Sequence, residues 1–476
     1  MKKNKQHSAK RTQKDLIFEK QMNYFLKPFA VSQMILVVST ILAFLTLVFL
    51  LLTVMLMDER DFFFNVTLFN TLMLGLIFVL MFDTVAITLI HVTSRSNMPS
   101  YEEYKRSLNR HEYLKQRSRF PGLLDFENNR KDFTPEPKTE GLTLEKVCTH
   151  FHNYLANELK LYYTLPDLRK FITSLGVSKT MILQGMSGTG KTSIAVAFGK
   201  FINVPSTVVP IQPMWKERSD MLGYYNEFTG KFNETVILHK LYEATFSDKM
   251  HIIILDEVNI ARVEYYFAEF LSLLELPPSS NRELVVAAAG AEGDPRKMKR
   301  GKIILPDNVW FLGTANNDDS TFAISDKVYD RAMIMNLETR ANPFISDEKA
   351  KQIHLSTTVF YELITKAKKD YRLSDEGRRK IKELDEYLIS TFQVTFGNRI
   401  LMQINNYVPI FIACGGSEDE ALDDILAKKT LRKLEAKNPV YVKAKSQELI
   451  TKLDDIFGPE VMKDCISYVN RIVDSM

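Results

Sequence analysis

Between Gly185 and Thr192 the chain reads Gly-Met-Ser-Gly-Thr-Gly-Lys-Thr. The spacing G-x-x-x-x-G-K-T suits one task, gripping a polyphosphate. Small residues at Gly185, Ser187, Gly188, Thr189 and Gly190 let backbone N–H groups wrap phosphate oxygens, with Ser193 next in line. Lys191 supplies a compact cation for the β- and γ-phosphates, and Thr192 offers a hydroxyl to Mg²⁺. A second constellation is His251-Ile-Ile-Ile-Leu-Asp256-Glu257. Its apolar run predicts a buried strand that delivers two carboxylates at its C-terminal end, where α/β folds bind ligands. Asp256 is expected to hold Mg²⁺ through its water shell. Glu257 is expected to orient and polarise the attacking water as general base. A third apolar run, Asn308–Leu312, leads into Gly313-Thr-Ala-Asn316. The amide of Asn316 can hold that water against the γ-phosphate.

These groups meet only if the strands lie side by side with their C-terminal ends aligned. The sequence predicts that arrangement. Thr180–Gln184 is a short apolar strand before the glycine-rich loop, and a helix follows, its positive dipole end facing the anion. Strands and helices alternate to about residue 340, which implies an α/β fold, a parallel sheet flanked by crossover helices. From Ser346 onward the pattern is helical with Lys/Glu-rich faces, a C-terminal helical lid.

The N-terminal quarter differs in kind. Residues 28–57 hold no charged side chain, and 62–90 hold only Asp83. A bilayer needs roughly 20 apolar residues per helix, so the pair predicts a two-helix transmembrane hairpin. Residues 1–27 carry eight Lys/Arg and 92–119 carry seven, whereas the turn between the spans carries Arg60 among three acids. That asymmetry places both termini in the cytoplasm, and the basic flanks attract anionic membrane lipid. The expected segments are a basic tail (1–27), the hairpin (28–91), a juxtamembrane helix and linker (92–141), a nucleotide-binding core (142–345) and the lid with C-terminal helices (346–476).

Composition narrows the class further. A net charge of +4 over 476 residues argues against a generally nucleic-acid-like surface. Cys148, Cys414 and Cys465 lie far apart, without zinc spacing or a disulfide framework, as suits a reducing compartment. His150 and His152 form an isolated H-x-H pair that reads as two polar positions on a helix.

Together with Val209–Trp215, Ser219–Asn226, Asp256–Glu264, Phe270–Glu275, Ser325–Ala332 and Phe396–Arg399, these motifs resemble the AAA+ domain of McrB-type NTPases, in the clade that also holds MoxR and dynein-like modules. The resemblance covers roughly 142–435. It implies that Gly185–Thr192 is the Walker A motif, that Asp256-Glu257 is Walker B, and that Asn316 is the sensor-1 residue. It implies an arginine finger at Arg331, reaching a neighbouring subunit's γ-phosphate, and a sensor-2 arginine at Arg399, reporting nucleotide to the lid. A finger in trans implies a homo-oligomer, in this class a hexameric ring. Residues 208–232 correspond to the family's insert after the second strand. Residues 283–305 resemble its β-hairpin before sensor 1, with a basic turn at Arg296, Lys297, Lys299, Arg300 and Lys302.

In place of the relatives' DNA-reading domain stands the hairpin, so direct nucleic-acid binding is left open. The expected nucleotide is ATP, with GTP as the alternative. The expected function is a membrane-anchored NTPase of the bacterial inner membrane that drives a separate effector protein, in defence or membrane remodelling. The alternative is a nucleotide-gated membrane sensor or pore-forming effector.

Overall fold

The apolar runs at Met181, Ile252 and Val309 become the middle of one parallel sheet. The computed structural model describes residues 118–130, 141–277, 280–316, 321–337, 341–346 and 351–474, with isolated helical positions between Val37 and Thr88. Two compact units divide the chain, residues 1–113 and 114–476. Every nucleotide motif lies in the second.

That unit opens with α1 (Pro121–Asn129), α2 (Leu144–Tyr154) and α3 (Leu165–Val177). The side chains of Thr143 and Thr164 accept the first free N–H groups of α2 and α3, the ordinary N-cap solution. The order then runs β1 (Thr180–Gly185), α4 (Lys191–Phe201), β2 (Thr207–Pro210), α5 (Arg218–Leu222), the hairpin β3 (Gly223–Asn226) and β4 (Lys231–Glu234), and α6 (Val236–Ala244). Next come β5 (His251–Asp256), α7 (Val263–Tyr266), α8 (Ala268–Glu275), the hairpin β6 (Glu283–Val285) and β7 (Lys302–Ile304), β8 (Val309–Asn316), α9 (Asp326–Tyr329) and β9 (Met333–Asn336). Six helices close the chain: α10 (Thr357–Asp370), α11 (Asp375–Phe392), α12 (Gly397–Ala413), α13 (Glu418–Lys429), α14 (Pro439–Phe457) and α15 (Lys463–Asp474).

The main sheet has the order β2-β5-β8-β1-β9, with all pairs parallel. Its register aligns Gly185 with Asn316, Leu255 with Gly313 and Pro210 with Asp256. Strand β8 therefore sits between the phosphate-loop strand and the acid strand. It also runs four residues past the end expected at Leu312, because β5 pairs with it to Gly313 and β1 to Asn316. Asn316 is thus the last strand residue, not a turn residue.

Alternation along each strand sorts the core into two layers. Met181, Leu183, Ile252, Ile254, Trp310 and Leu312 join a cluster with α2, α3, α4 and the C-terminal helices. Ile182, Ile253, Leu255, Val309 and Phe311 join the opposite cluster with α5 to α8. One hydrophobic cluster thus runs from the sheet into the lid, so lid position and sheet position are tied by packing.

Helix α1 is clamped onto both hairpins. Glu234 of β4 caps it, accepting from Gly122 and Leu123 N–H at 2.9 and 2.8 Å. Before α1, Arg119 forks onto Asp294 and donates to the Ala289 carbonyl. Within α1, Glu127 accepts from both the backbone and the side chain of Arg296. The basic turn is therefore partly spoken for, since Arg296 serves Glu127 and Lys302 pairs with Glu283 at 2.6 Å. Lys299 and Arg300 stay exposed.

Among the described residues no helix is long and apolar enough to cross a membrane. The hairpin expected over 28–91, with Asp83, lies outside them apart from the isolated helical positions.

Candidate nucleotide site

Two glycines make the phosphate loop. Gly185 has φ +148°, and a Cβ there would lie 2.2 Å from the Leu337 carbonyl oxygen. Gly190 has φ +93°, and its Cβ would meet the Tyr163 hydroxyl at 2.5 Å. No other residue fits either place. Tyr163 donates to the Gly190 carbonyl at 2.8 Å and so braces the loop at the start of α4. Lys191 is buried, and its Nζ donates to the Gly185 and Met186 carbonyls at 3.0 and 2.7 Å. The cation is thereby held inside the loop's curve, with the N–H groups of α4 opening beside it.

The acids sit one strand beyond β8. Thr192 Oγ1 donates to Asp256 Oδ1 at 2.8 Å. Thr314 Oγ1 donates to the same oxygen at 2.7 Å and accepts the Glu257 N–H at 2.9 Å. Glu257 has φ +57°, in the left-handed region. Such a conformation costs a non-glycine residue on the order of 1–3 kcal/mol and persists only when its surroundings enforce it. Here the Thr314 hydroxyl does so from the neighbouring strand. Asn316 Nδ2 lies 3.4 Å from Glu257 Oε1, so amide and carboxylate can hold one water between them and the phosphate.

A hydroxyl and a carboxylate are hard oxygen donors and fit Mg²⁺, which keeps several waters and takes one or two protein ligands plus phosphate oxygens. Among the described residues no group of three or more His, Cys, Asp or Glu is placed to hold a metal by itself. The donor set Thr192 and Asp256 therefore suits an ion that arrives with its nucleotide.

The two arginines lie elsewhere. Arg331 Nε is 3.3 Å from Glu275 Oε2, and Arg399 Nε is 3.0 Å from Glu275 Oε1. Both line a cavity of about 660 Å³ with Lys179, Arg282, Asp307 and Lys368. That cavity opens beside Thr180, at the start of β1, whereas the phosphate loop leaves its end. At ~3.3 Å per residue the strand separates them by about 17 Å. Arg399, expected to report nucleotide to the lid, thus sits in the Glu275 cluster beside Arg331. Its helix α12 packs against α3 and α13, and α3 in turn packs on β9 and β1. Burial also pushes the Lys179 ammonium down to about 7, and it lies 3.2 Å over the Trp310 ring.

Thr314, Tyr163 and Glu275 were not singled out as site residues by sequence. Thr314 had a readable signal, because alternation puts it on the same strand face as Asn316. Tyr163 and Glu275 had none, since their roles come from tertiary contacts.

Fold and site together define a P-loop nucleoside triphosphatase with a parallel core and a helical lid. Comparison with known proteins makes this specific. Residues 180–332 match the family model "AAA domain (dynein-related subfamily)". The chain is 24% identical over 225 residues to the type IV methyl-directed restriction enzyme EcoKMcrB subunit of Escherichia coli K12, covering 44% of this chain and 46% of that one. It spans less than half the length of that relative. Solved structures it resembles include a candidate ATPase of Cytophaga hutchinsonii (TM-score 0.42, 15% identity, 74% of this chain and 97% of that one). Another is a full-length MCM homologue of Methanopyrus kandleri (TM-score 0.37, 11% identity, 63% and 64%). The matched segment resembles an AAA domain, and its site is that of a nucleoside triphosphate hydrolase.

Proposed function

We propose that this chain is a membrane-anchored AAA+ ATPase whose copies form a ring, and that the ring's hydrolysis cycle remodels or activates a separate effector protein. The observation that carries the reading is the shared Glu275 cluster. Arg331 and Arg399 are 27% and 44% exposed and face away from their own phosphate loop. Guanidiniums placed there serve a nucleotide on a neighbouring copy, where such a charge is worth orders of magnitude in rate. The uncharged stretch 28–57 supports the anchor. That the Escherichia coli relative is named a subunit of a restriction enzyme supports a separate effector.

In this reading Lys191 and the loop N–H groups bind and orient the triphosphate. Thr192 and, through water, Asp256 would hold Mg²⁺, which would supply neutralising charge to the triphosphate. Glu257 accepts a proton from the attacking water, which Asn316 helps to align. The arginines of the next copy meet the charge that develops on the transferred phosphoryl group.

Pull-down of Glu257→Gln from native membranes tests the reading. The variant should lose at least a hundredfold in phosphate release, keep its ATP, and co-purify as an oligomer with a second protein. Recovery of monomers alone, with no co-purifying chain, overturns it.

A further inference from the structure

The turn that carries Arg331 is held by the lid. It begins at the last residue of α9, Tyr329, and ends at Ala332, before β9. Three of its carbonyls accept hydrogen bonds from two lid side chains. Lys429, at the end of α13, donates to Tyr329 O at 2.6 Å and to Ala332 O. Gln403, in α12, donates to Asp330 O at 3.0 Å. Both donors are buried, Lys429 at 3% exposure. A buried lysine with two carbonyl partners and no ion pair, though the Asp330 carboxylate acts on it, is costly, and burial pushes its ammonium down to about 7. Hydrophobic residues would pack the same space without that cost. What the polar pair adds is a fixed direction for the backbone on both sides of Arg331.

The opposite side of the turn touches the nucleotide strand. Gln184, the residue before Gly185, donates to the Tyr329 hydroxyl. The Arg432 guanidinium covers the Tyr329 ring at 3.9 Å and pairs with Asp326. Tyr329 is thus gripped at its hydroxyl by the phosphate-loop strand and at its carbonyl by the lid.

We propose that Lys429 and Gln403 are positioning residues for trans hydrolysis: by fixing the Tyr329–Ala332 turn they set the reach of Arg331 into the neighbouring copy's site. This rests on the reading of Arg331 as a finger in trans. The lid then acts on catalysis in the next subunit through the backbone on both sides of Arg331.

The test uses the full chain in detergent or lipid, with phosphate release, fluorescent-ATP affinity and oligomeric state as readouts. Lys429→Met should lower kcat at least tenfold, with nucleotide affinity within threefold of wild type. Mixing it with Glu257→Gln, itself inactive but with an intact finger, should raise the rate at least threefold above that of Lys429→Met alone. A subunit that is merely damaged gains nothing from mixing. Arg331→Ala, alone and mixed, is the reference. Should Arg331→Ala be rescued by mixing while Lys429→Met is not, or should Lys429→Met turn over within twofold of wild type, the inference is wrong and the finger stands. Should Arg331→Ala itself hydrolyse at the wild-type rate, the finger reading fails and takes the inference with it. Gln403→Leu removes one carbonyl bond and leaves the lysine in place. If Lys429→Met does not fold, a threefold loss in Gln403→Leu that mixing restores supports the proposal, and an unchanged rate overturns it.

Discussion

Arg331 and Arg399 share one carboxylate, that of Glu275, although 67 residues separate them in sequence (399 − 331 = 68 positions apart). One comes from the turn after α9 and the other from the first turn of α12. Glu275, at the end of α8, brings core and lid into one charged cluster. Because all three side chains are partly exposed, the cluster adds little to stability and much to where the two cations point.

Arg399→Ala should therefore leave the affinity of the isolated subunit for ATP unchanged and lower phosphate release of the assembled protein at least tenfold. Equilibrium titration with a fluorescent nucleotide checks the first point and steady-state turnover the second. A weakened affinity in dilute, monomeric protein would place the residue at its own nucleotide instead.

Thr314→Val keeps the shape of the side chain and removes the bond to Asp256 and the acceptor for Glu257 N–H. A lost hydrogen bond at this part-buried N–H costs roughly 0.5–1.5 kcal/mol, and the left-handed Glu257 loses its restraint. Turnover should fall about tenfold or more with ATP still bound, and Thr314→Ser should recover to within about threefold. Equal rates in the two variants would remove the hydroxyl from the account.

His251 opens β5, buried, with its Nε2 2.8 Å from Ser247 Oγ. Burial lowers its pKa from 6.5 to about 4. The unfolded chain thus takes up the proton first as pH falls. The stability from neutral His251 is fully present above pH 6.5 and is lost as pH drops toward 4. At 1.36 kcal/mol per pKa unit that loss is roughly 3 kcal/mol. In thermal melts, Tm of His251→Gln should fall less steeply than that of wild type across this window. Parallel curves would refute the assignment.

Glu127→Ala cuts both bonds from α1 to Arg296. Amides of residues 287–300 should then exchange with deuterium several-fold faster, with the five-stranded sheet unaffected. Unchanged exchange in that loop would show that its order does not depend on α1.

The catalytic core was legible in the sequence because its chemistry is local. Gly185–Thr192 and Asp256-Glu257 each sit at the end of one apolar run, and parallel pairing brings those ends together. Asn316 was found for the same reason, though its strand was drawn four residues short. Gly313 looks like a turn residue, and only pairing on both sides makes it strand. Arg399 was assigned a role from its motif, but its place depends on how α12 packs, which no local pattern encodes. Lys429 is the hardest case. The paired acids Asp423-Asp424 and paired lysines Lys428-Lys429 suggest a solvated face within Ala421–Lys429, yet all nine residues are buried. Neighbouring helices surround that segment of α13, so its polar groups find partners inside the fold.

Helix α1 has a mechanical meaning. Arg119 is bolted to Asp294 in the loop between β6 and β7, and α1, which follows at once, is capped by Glu234 of the other hairpin. A force applied at Arg119 or α1 would be borne by Asp294 and Arg296, in a loop, and not by the five-stranded sheet. The same bonds work in reverse: a shift of either hairpin would carry α1 with it.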